Sequence, residues 1–455
     1  MFPLAVFAML PLVAPCGAQP DSAIPFSVPG TDAPELAALG PYRVGVRTID
    51  LVHPGQVDIL NFNNDTGKAP LYDRPLKIEV WYPAVIPPGE QERTVYTSPM
   101  PGRTGVVPPG VPRSFQFSGK ALRDAAPVMG EQFPLVIVSH GYPGSRTFLS
   151  YLTENLASKG YIVAAIDHTD SVFGDVRRFD STLLNRASDQ LFTMNALDQR
   201  SRRTNDFLHG LLAVSRVAIV GYSMGGYGAL ASAGAGYSAN GSAAKLIPGA
   251  YFKDWLAGSA AFEGQARANL KAVVAIAPWG AQPPRNNWDA SGLEGIRIPS
   301  LFIDGDQDDV SDYRQGVKPA FERTVNSERC LLVYENARHN VGGNPIPPGF
   351  PPSFILRESF AEPVWRKDRI DAINQHFITA FLDLYLKGDE SRRAYLHPSI
   401  ENSNDGAWPL KPGESAGSSF SQGSGTAGQK YWKGFQRRWA VGLEMHCYNA
   451  GQKAK

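Results

Sequence analysis

Apolar residues gather in short continuous runs over 133–139, 161–166, 216–220, 271–276, 300–303 and 330–334, rich in Val, Ile and Leu. A run apolar at every position is what a strand covered on both faces requires. Between the runs, apolar residues recur at helical spacing over 147–159, 183–212, 224–232 and 315–326. Strands alternating with helices build right-handed βαβ units, so the pattern predicts an open, mostly parallel, doubly wound sheet. Two earlier β-rich runs, 42–52 and 76–82, predict N-terminal antiparallel strands. A further helix is predicted over 367–387, with Gly388 as its stop.

The remaining segments divide the chain. Residues 1–18 read as a signal peptide: 1–15 are apolar, uncharged and broken by Pro3, Pro11 and Pro15, and Cys16-Gly17-Ala18 offers small residues for cleavage. A lipoprotein anchor at Cys16 is a poorer fit because Pro15 precedes it. Residues 19–41 read as an extended lead-in and 42–390 as one catalytic domain. Within it, 83–130 is a Pro- and Gly-rich surface excursion, and 233–270, rich in small residues, is a candidate lid. Residues 391–455 form a C-terminal extension packed on that domain, with a Ser/Gly-rich stretch over 389–429. No later apolar run is long enough for a membrane helix.

Composition narrows the classes. Hydrophobic residues make up 43% of the 455, enough for a large core, and 45 Gly with 37 Pro imply long loops. A net charge of +1 argues against a protein built to hold nucleic acid. An exported chain keeps two cysteines after cleavage, Cys330 and Cys447, which are either a disulfide or two buried thiols. The expected location is secreted or periplasmic.

The strongest chemical signal is Gly221-Tyr222-Ser223-Met224-Gly225, between the third apolar run and a helix. A strand–turn–helix bend of this kind presents a serine hydroxyl above the sheet, and it tolerates only very small residues two positions either side. Serine needs a base. His339 lies past the last predicted strand, in the order Ser…Asp/Glu…His. His140 and His376 read as structural, and His168 as a pocket-lining residue. The acid belongs after the fifth run, in Asp304-Gly305-Asp306-Gln307-Asp308-Asp309. Asp308 is the first choice and Asp306 the second. A calcium loop fits poorly, since Asp309 stands where Gly is needed and Gln315 where a Glu is needed. After the first run, Ser139-His140-Gly141-Tyr142 offers the Tyr142 N–H as an oxyanion donor beside that of Met224. Trp279 follows the fourth run and is expected, with Tyr142, to flank a flat acyl or aromatic group; core packing is the alternative.

These motifs resemble those of the α/β-hydrolase superfamily. Glu79-Val-Trp-Tyr-Pro83, Val138-Ser-His-Gly and Leu156-Ala-Ser-Lys-Gly-Tyr-Ile-Val-Ala-Ala-Ile-Asp-His168 resemble dienelactone hydrolase and platelet-activating-factor acetylhydrolase-like esterases. Tyr142, Ser223-Met224 and Pro278-Trp279 are similar to bacterial cutinase-like polyester hydrolases. The resemblance covers about residues 42–390 and implies a serine ester hydrolase with an acyl-enzyme, needing no cofactor or metal. Dienelactone hydrolases proper carry a Cys nucleophile, and Ser223 departs from them. An amidase, thioesterase or acyltransferase on the same residues, or a non-catalytic binding protein of this fold, are the rival readings. Oligomeric state and the ester itself are not legible.

Overall fold

The computed structural model describes residues 23–102, 107–265, 267–408, 413 and 430–454, so the expected signal segment lies outside the described residues. The central sheet is built from β1 (Arg43–Val57), β2 (Leu71–Val85), β3 (Phe133–Ser139), β4 (Ile162–Asp167), β5 (Leu212–Tyr222), β6 (Leu270–Ile276), β7 (Ser300–Gly305), β8 (Arg329–Tyr334) and β9 (Leu443–Tyr448). Their spatial order is β9-β8-β7-β6-β5-β3-β4-β2-β1. From β4 through β8 every pairing is parallel. β2 runs antiparallel to β1 and β4, and β9 antiparallel to β8.

The apolar runs explain the layers. Within β3, Leu135 and Ile137 enter one core and Val136 and Val138 the other, as the two-residue repeat of a strand demands. The principal helices are α1 (Ser150–Ser158), α2 (Phe179–Ser201), α3 (Met224–Ser232) and α4 (Lys367–Lys387). Leu183, Leu191 and Met194 of α2 and Leu230 of α3 fill the first core. Leu152 and Leu156 of α1 and Ile373, Phe377 and Phe381 of α4 fill the second. Helix α4 stops at Gly388, which takes the left-handed φ of +73° that glycine adopts without strain. This layered topology is the α/β-hydrolase fold that the motifs imply.

Local boundaries depart from the periodicity. The helix expected over 183–212 is α2, which starts and ends earlier. Gly210, at φ +71°, donates its N–H to Ser201 O and closes the end of α2, and β5 then begins at Leu212. Of the helix expected over 315–326 only Lys318–Arg323 is α-helical; Tyr313–Val317 before it is a π-helical turn, and Pro319, which has no N–H, stands at the start of the α-helical part. The 83–130 excursion contains a hairpin, Thr94–Pro99 with Ser114–Gly119, and it is anchored. Trp81 Nε1 donates to Tyr96 OH at 2.6 Å, and Tyr96 OH donates to Glu154 at 2.6 Å. Residues 233–270 bury Tyr237, Phe252, Trp255 and Phe262 against the α2–α3 side. The C-terminal segment supplies the edge strand β9, where Cys447 faces Cys330 in register and the two sulfurs are bonded.

Candidate active site

The chain turns from β5 into α3 at Ser223, a non-glycine residue held at φ +53°. Such a conformation costs on the order of 1–3 kcal/mol and persists only where the surroundings enforce it. The surroundings are crowded. A Cβ on Gly221 would collide with the Gly225 carbonyl, and one on Gly225 with the Ser139 carbonyl. Ser223 N donates to Ile276 O at 2.8 Å, and Trp279 N donates to Ser223 O at 3.2 Å, tying the bend to β6 and to the loop after it.

His339 leaves the loop after β8 and places Nε2 3.0 Å from Ser223 Oγ. Its Nδ1 lies 2.8 Å from Asp308 Oδ2. Asp308 Oδ1 accepts from the N–H groups of Val310 (2.7 Å) and Ser311 (2.9 Å). Burial alone would raise the Asp308 pKa, but the charge and hydrogen bond of His339 outweigh it and hold the carboxyl below its ordinary value. An ionised Asp308 makes Nδ1 the protonated ring nitrogen, leaving Nε2 to accept the Ser223 proton.

The competing aspartates go elsewhere. Asp306 Oδ1 accepts from Asn336 N at 2.6 Å, turned away from the His339 ring. Asp304 is fully enclosed at the end of β7, and neither oxygen meets a donor among the described residues. Burial, and then the neighbouring Asp308 charge, push its pKa well above the ordinary carboxylate value.

The loop after β3 lies against the bend: a Cβ on Gly141 would stand 3.3 Å from Ser223 Cβ. Among the described residues no protein acceptor takes the N–H of Tyr142 or of Met224. Both N–H groups are thus left without a protein acceptor, and Met224 opens α3 at its partly positive end.

Tyr142 and Trp279 share a third aromatic ring as neighbour. Phe179, the first residue of α2, stands between them, with its ring 4.9 Å from Tyr142 and 5.3 Å from Trp279, edge-on to both. Trp279 is 9% exposed and carries the Arg285 guanidinium 5.5 Å from its ring centre. Phe179 had no motif to announce it; only the start of α2 puts it there.

His168 corrects an expectation. It does not line a pocket, because its ring is 1% exposed. Its Nε2 lies 2.8 Å from Ser139 Oγ and its Nδ1 2.9 Å from Asp189 Oδ2. Burial, and then the nearby Arg186 charge, push its pKa down to about 3, so it is neutral at ordinary pH. Asp189 is paired with Arg74, whose Nε and Nη2 donate to it at 2.9 and 3.1 Å. Residues 139, 168 and 189 thus form a second Ser–His–Asp chain, sealed inside the fold.

Comparison with known proteins finds relatives over part of the chain. Residues 119–177 match the family model described as platelet-activating factor acetylhydrolase, isoform II. Over 249 residues the chain is 24% identical to Cutinase 2 of Thermobifida cellulosilytica, covering 54% of this chain and 71% of that one. It is 25% identical over 205 residues to Cutinase est1 of Thermobifida alba, covering 45% and 52% of the two chains. A bis(hydroxyethyl) terephthalate hydrolase of Streptomyces coelicolor is 23% identical over 208 residues, covering 46% of this chain and 50% of that one. Among solved structures, a ferulic acid esterase from Streptomyces cinnamoneus aligns with a TM-score of 0.48 at 20% identity, covering 79% of this chain and 92% of that one.

Proposed function

The chain folds as an α/β-hydrolase, and we propose that it is a serine carboxylic-ester hydrolase working through Ser223, His339 and Asp308. The observation that carries this reading is the unbroken line from Asp308 through His339 to a strained serine at the N-terminus of α3. Similarity to two cutinases and to a terephthalate-ester hydrolase supports esters as the substrate class.

Each step of the proposed reaction has a residue to perform it. His339 Nε2 takes the Ser223 proton as Oγ attacks the ester carbonyl. Asp308 keeps Nδ1 protonated and stabilises the imidazolium. The Tyr142 and Met224 N–H groups receive the oxyanion, and each well-aimed donor lowers the barrier by roughly 3 kcal/mol. The intermediate collapses, His339 hands its proton to the leaving alcohol, and an acyl-enzyme remains. Water, deprotonated by the same nitrogen, then releases the acid and restores Ser223. Phe179 between Tyr142 and Trp279 favours a small acyl group over a flat one sandwiched between the two rings.

The test is a fluorophosphonate probe followed by matched 4-nitrophenyl ester, anilide and thioester substrates. Labelling at Ser223 and a strong ester preference are expected. No labelling at Ser223 would overturn the reading in favour of a non-catalytic protein of this fold. Comparable anilide or thioester turnover would move it to the amidase or thioesterase class.

A further inference from the structure

Helix α2 runs under the site without contributing to the Ser223–His339–Asp308 line. Two of its side chains, one turn apart, nevertheless reach the backbone that carries the two free donors. Gln190 Nε2 donates to Gly225 O at 3.0 Å, on the α3 side. Arg186 Nη1 donates to His140 O at 2.7 Å, and Nη2 lies 3.5 Å from Gly141 O, on the loop side. Nη2 also donates to Ser171 Oγ at 2.5 Å. Arg186 is 1% exposed, its Nε has no hydrogen-bond partner, and no carboxylate among the described residues pairs with it.

A guanidinium buried without an ion pair is costly, and the fold makes room for it. Gly228 sits inside α3, where glycine costs about 1 kcal/mol relative to alanine. A Cβ there would stand 2.7 Å from Arg186 Cγ and 2.7 Å from Gln190 Nε2. The glycine is the space through which both side chains pass.

We propose that Arg186 is a positioning residue of the oxyanion hole, aiming the Tyr142 N–H by gripping the carbonyls of His140 and Gly141. The physical link is the Gly141–Tyr142 peptide plane. In a trans peptide the C=O and N–H point in opposite directions, so fixing Gly141 O fixes where Tyr142 N–H aims. His140 holds the same oxygen: its Nε2 accepts from His168 N at 3.3 Å, which leaves Nδ1 protonated to donate to Gly141 O at 2.7 Å. Arg186 adds a positive charge behind the donor, in surroundings too dry to screen it. Burial pushes the Arg186 pKa down to about 9, which leaves the guanidinium charged at neutral pH.

The inference rests on the ester-hydrolase reading, and its test separates the two. Arg186→Met keeps the stem and removes the donors; Arg186→Lys keeps the charge but replaces the planar fork with a single ammonium group. Each is compared with wild type for kcat and KM on a 4-nitrophenyl ester, per mole of Ser223 labelled by fluorophosphonate. Inhibition by a trifluoromethyl ketone, which forms the oxyanion without turnover, is measured alongside. Arg186→Met is expected to lower kcat and ketone affinity together by on the order of 10²-fold, the cost of a misplaced reacting geometry, with KM nearly constant. Arg186→Lys should recover part of both. A folded Arg186→Met protein with wild-type kcat and ketone affinity overturns the inference, even if its melting temperature falls. Should neither variant fold, Ser171→Ala decides: a drop in kcat of about fivefold at constant KM supports it, and an unchanged kcat overturns it. A wild-type protein unlabelled at Ser223 would instead overturn the ester-hydrolase reading itself.

Discussion

Among the described residues, two Ser–His–Asp chains have nearly equal dimensions. In one, Ser223 Oγ to His339 Nε2 is 3.0 Å and His339 Nδ1 to Asp308 is 2.8 Å. In the other, Ser139 Oγ to His168 Nε2 is 2.8 Å and His168 Nδ1 to Asp189 is 2.9 Å. Distances alone do not tell them apart; their surroundings do. Ser223 sits on a strained bend at a helix N-terminus, with free N–H groups alongside, and the His339 side chain is 12% exposed. Ser139 ends a buried strand, is 0% exposed, and its aspartate is shared with Arg74. The first chain reaches solvent at His339 and lies beside N–H groups that no protein acceptor takes among the described residues. The second is closed off, and it spends its hydrogen bonds holding β3, β4 and α2 together.

The largest expected contrast is between the two serines. Ser223→Ala should lower kcat by about 10⁶-fold with an almost unchanged melting temperature. Ser139→Ala should leave Ser223 open to the fluorophosphonate probe, as peptide mapping of the labelled protein would show. Loss of labelling in the second variant but not the first would reverse the assignment.

The aspartates sharpen the contrast by exchanging activity for stability. Asp308→Asn should lower kcat by about 10⁴-fold through the wrong imidazole tautomer, and Asp306→Asn should do far less. Asp189→Asn leaves Arg74 buried with one anionic partner fewer and should cost about 3–5 kcal/mol in denaturant melts. If Asp306→Asn proves the more damaging to turnover, the acid of the site has been misassigned.

Protonation gives the smallest and most local effect. His168 and His376 are each pushed down to about 3, first by burial, so their ring resonances should stay those of neutral imidazole as pH falls from 7 to 4. In the unfolded chain the same rings take up protons below about 6.5. The unfolded state therefore binds more protons between those values, and each ring removes stability as pH falls through that window, at up to about 1.4 kcal/mol per pH unit. Glu154, raised to about 6, and Asp371, raised to about 7, again first by burial, act in the opposite sense over part of that range. Titration of His168 near pH 6 in the NMR spectrum would show that its chain is not sealed.

Much of this arrangement is legible in the residues. Continuous Val/Ile runs predict doubly covered strands wherever they occur, and the parallel strands match them within a few residues. The Gly-Tyr-Ser-Met-Gly bend is legible because its sterics exclude larger residues at Gly221 and Gly225. His168 was misread because sequence order shows a histidine following a strand, but not whether the chain then closes over it. Strand β9 is not legible because Leu443–Tyr448 has no continuous apolar run; burial alternates over Leu443–His446 only, and the strand lies at the edge of the sheet. Phe179 and Arg186 carry no local signal, since their importance lies in what α2 crosses.

The sequence by itself determined the order of strands and helices, the bend at Ser223 and the chemistry of its candidate partners, because these depend on near neighbours and on residue type. Only the tertiary structure decided which aspartate meets His339, which histidine is sealed away, and that a helix begun at Phe179 lies beneath the oxyanion loop. Those outcomes depend on contacts between segments far apart in the chain, where a hydrogen bond of about 3 Å is set by packing that no local pattern encodes.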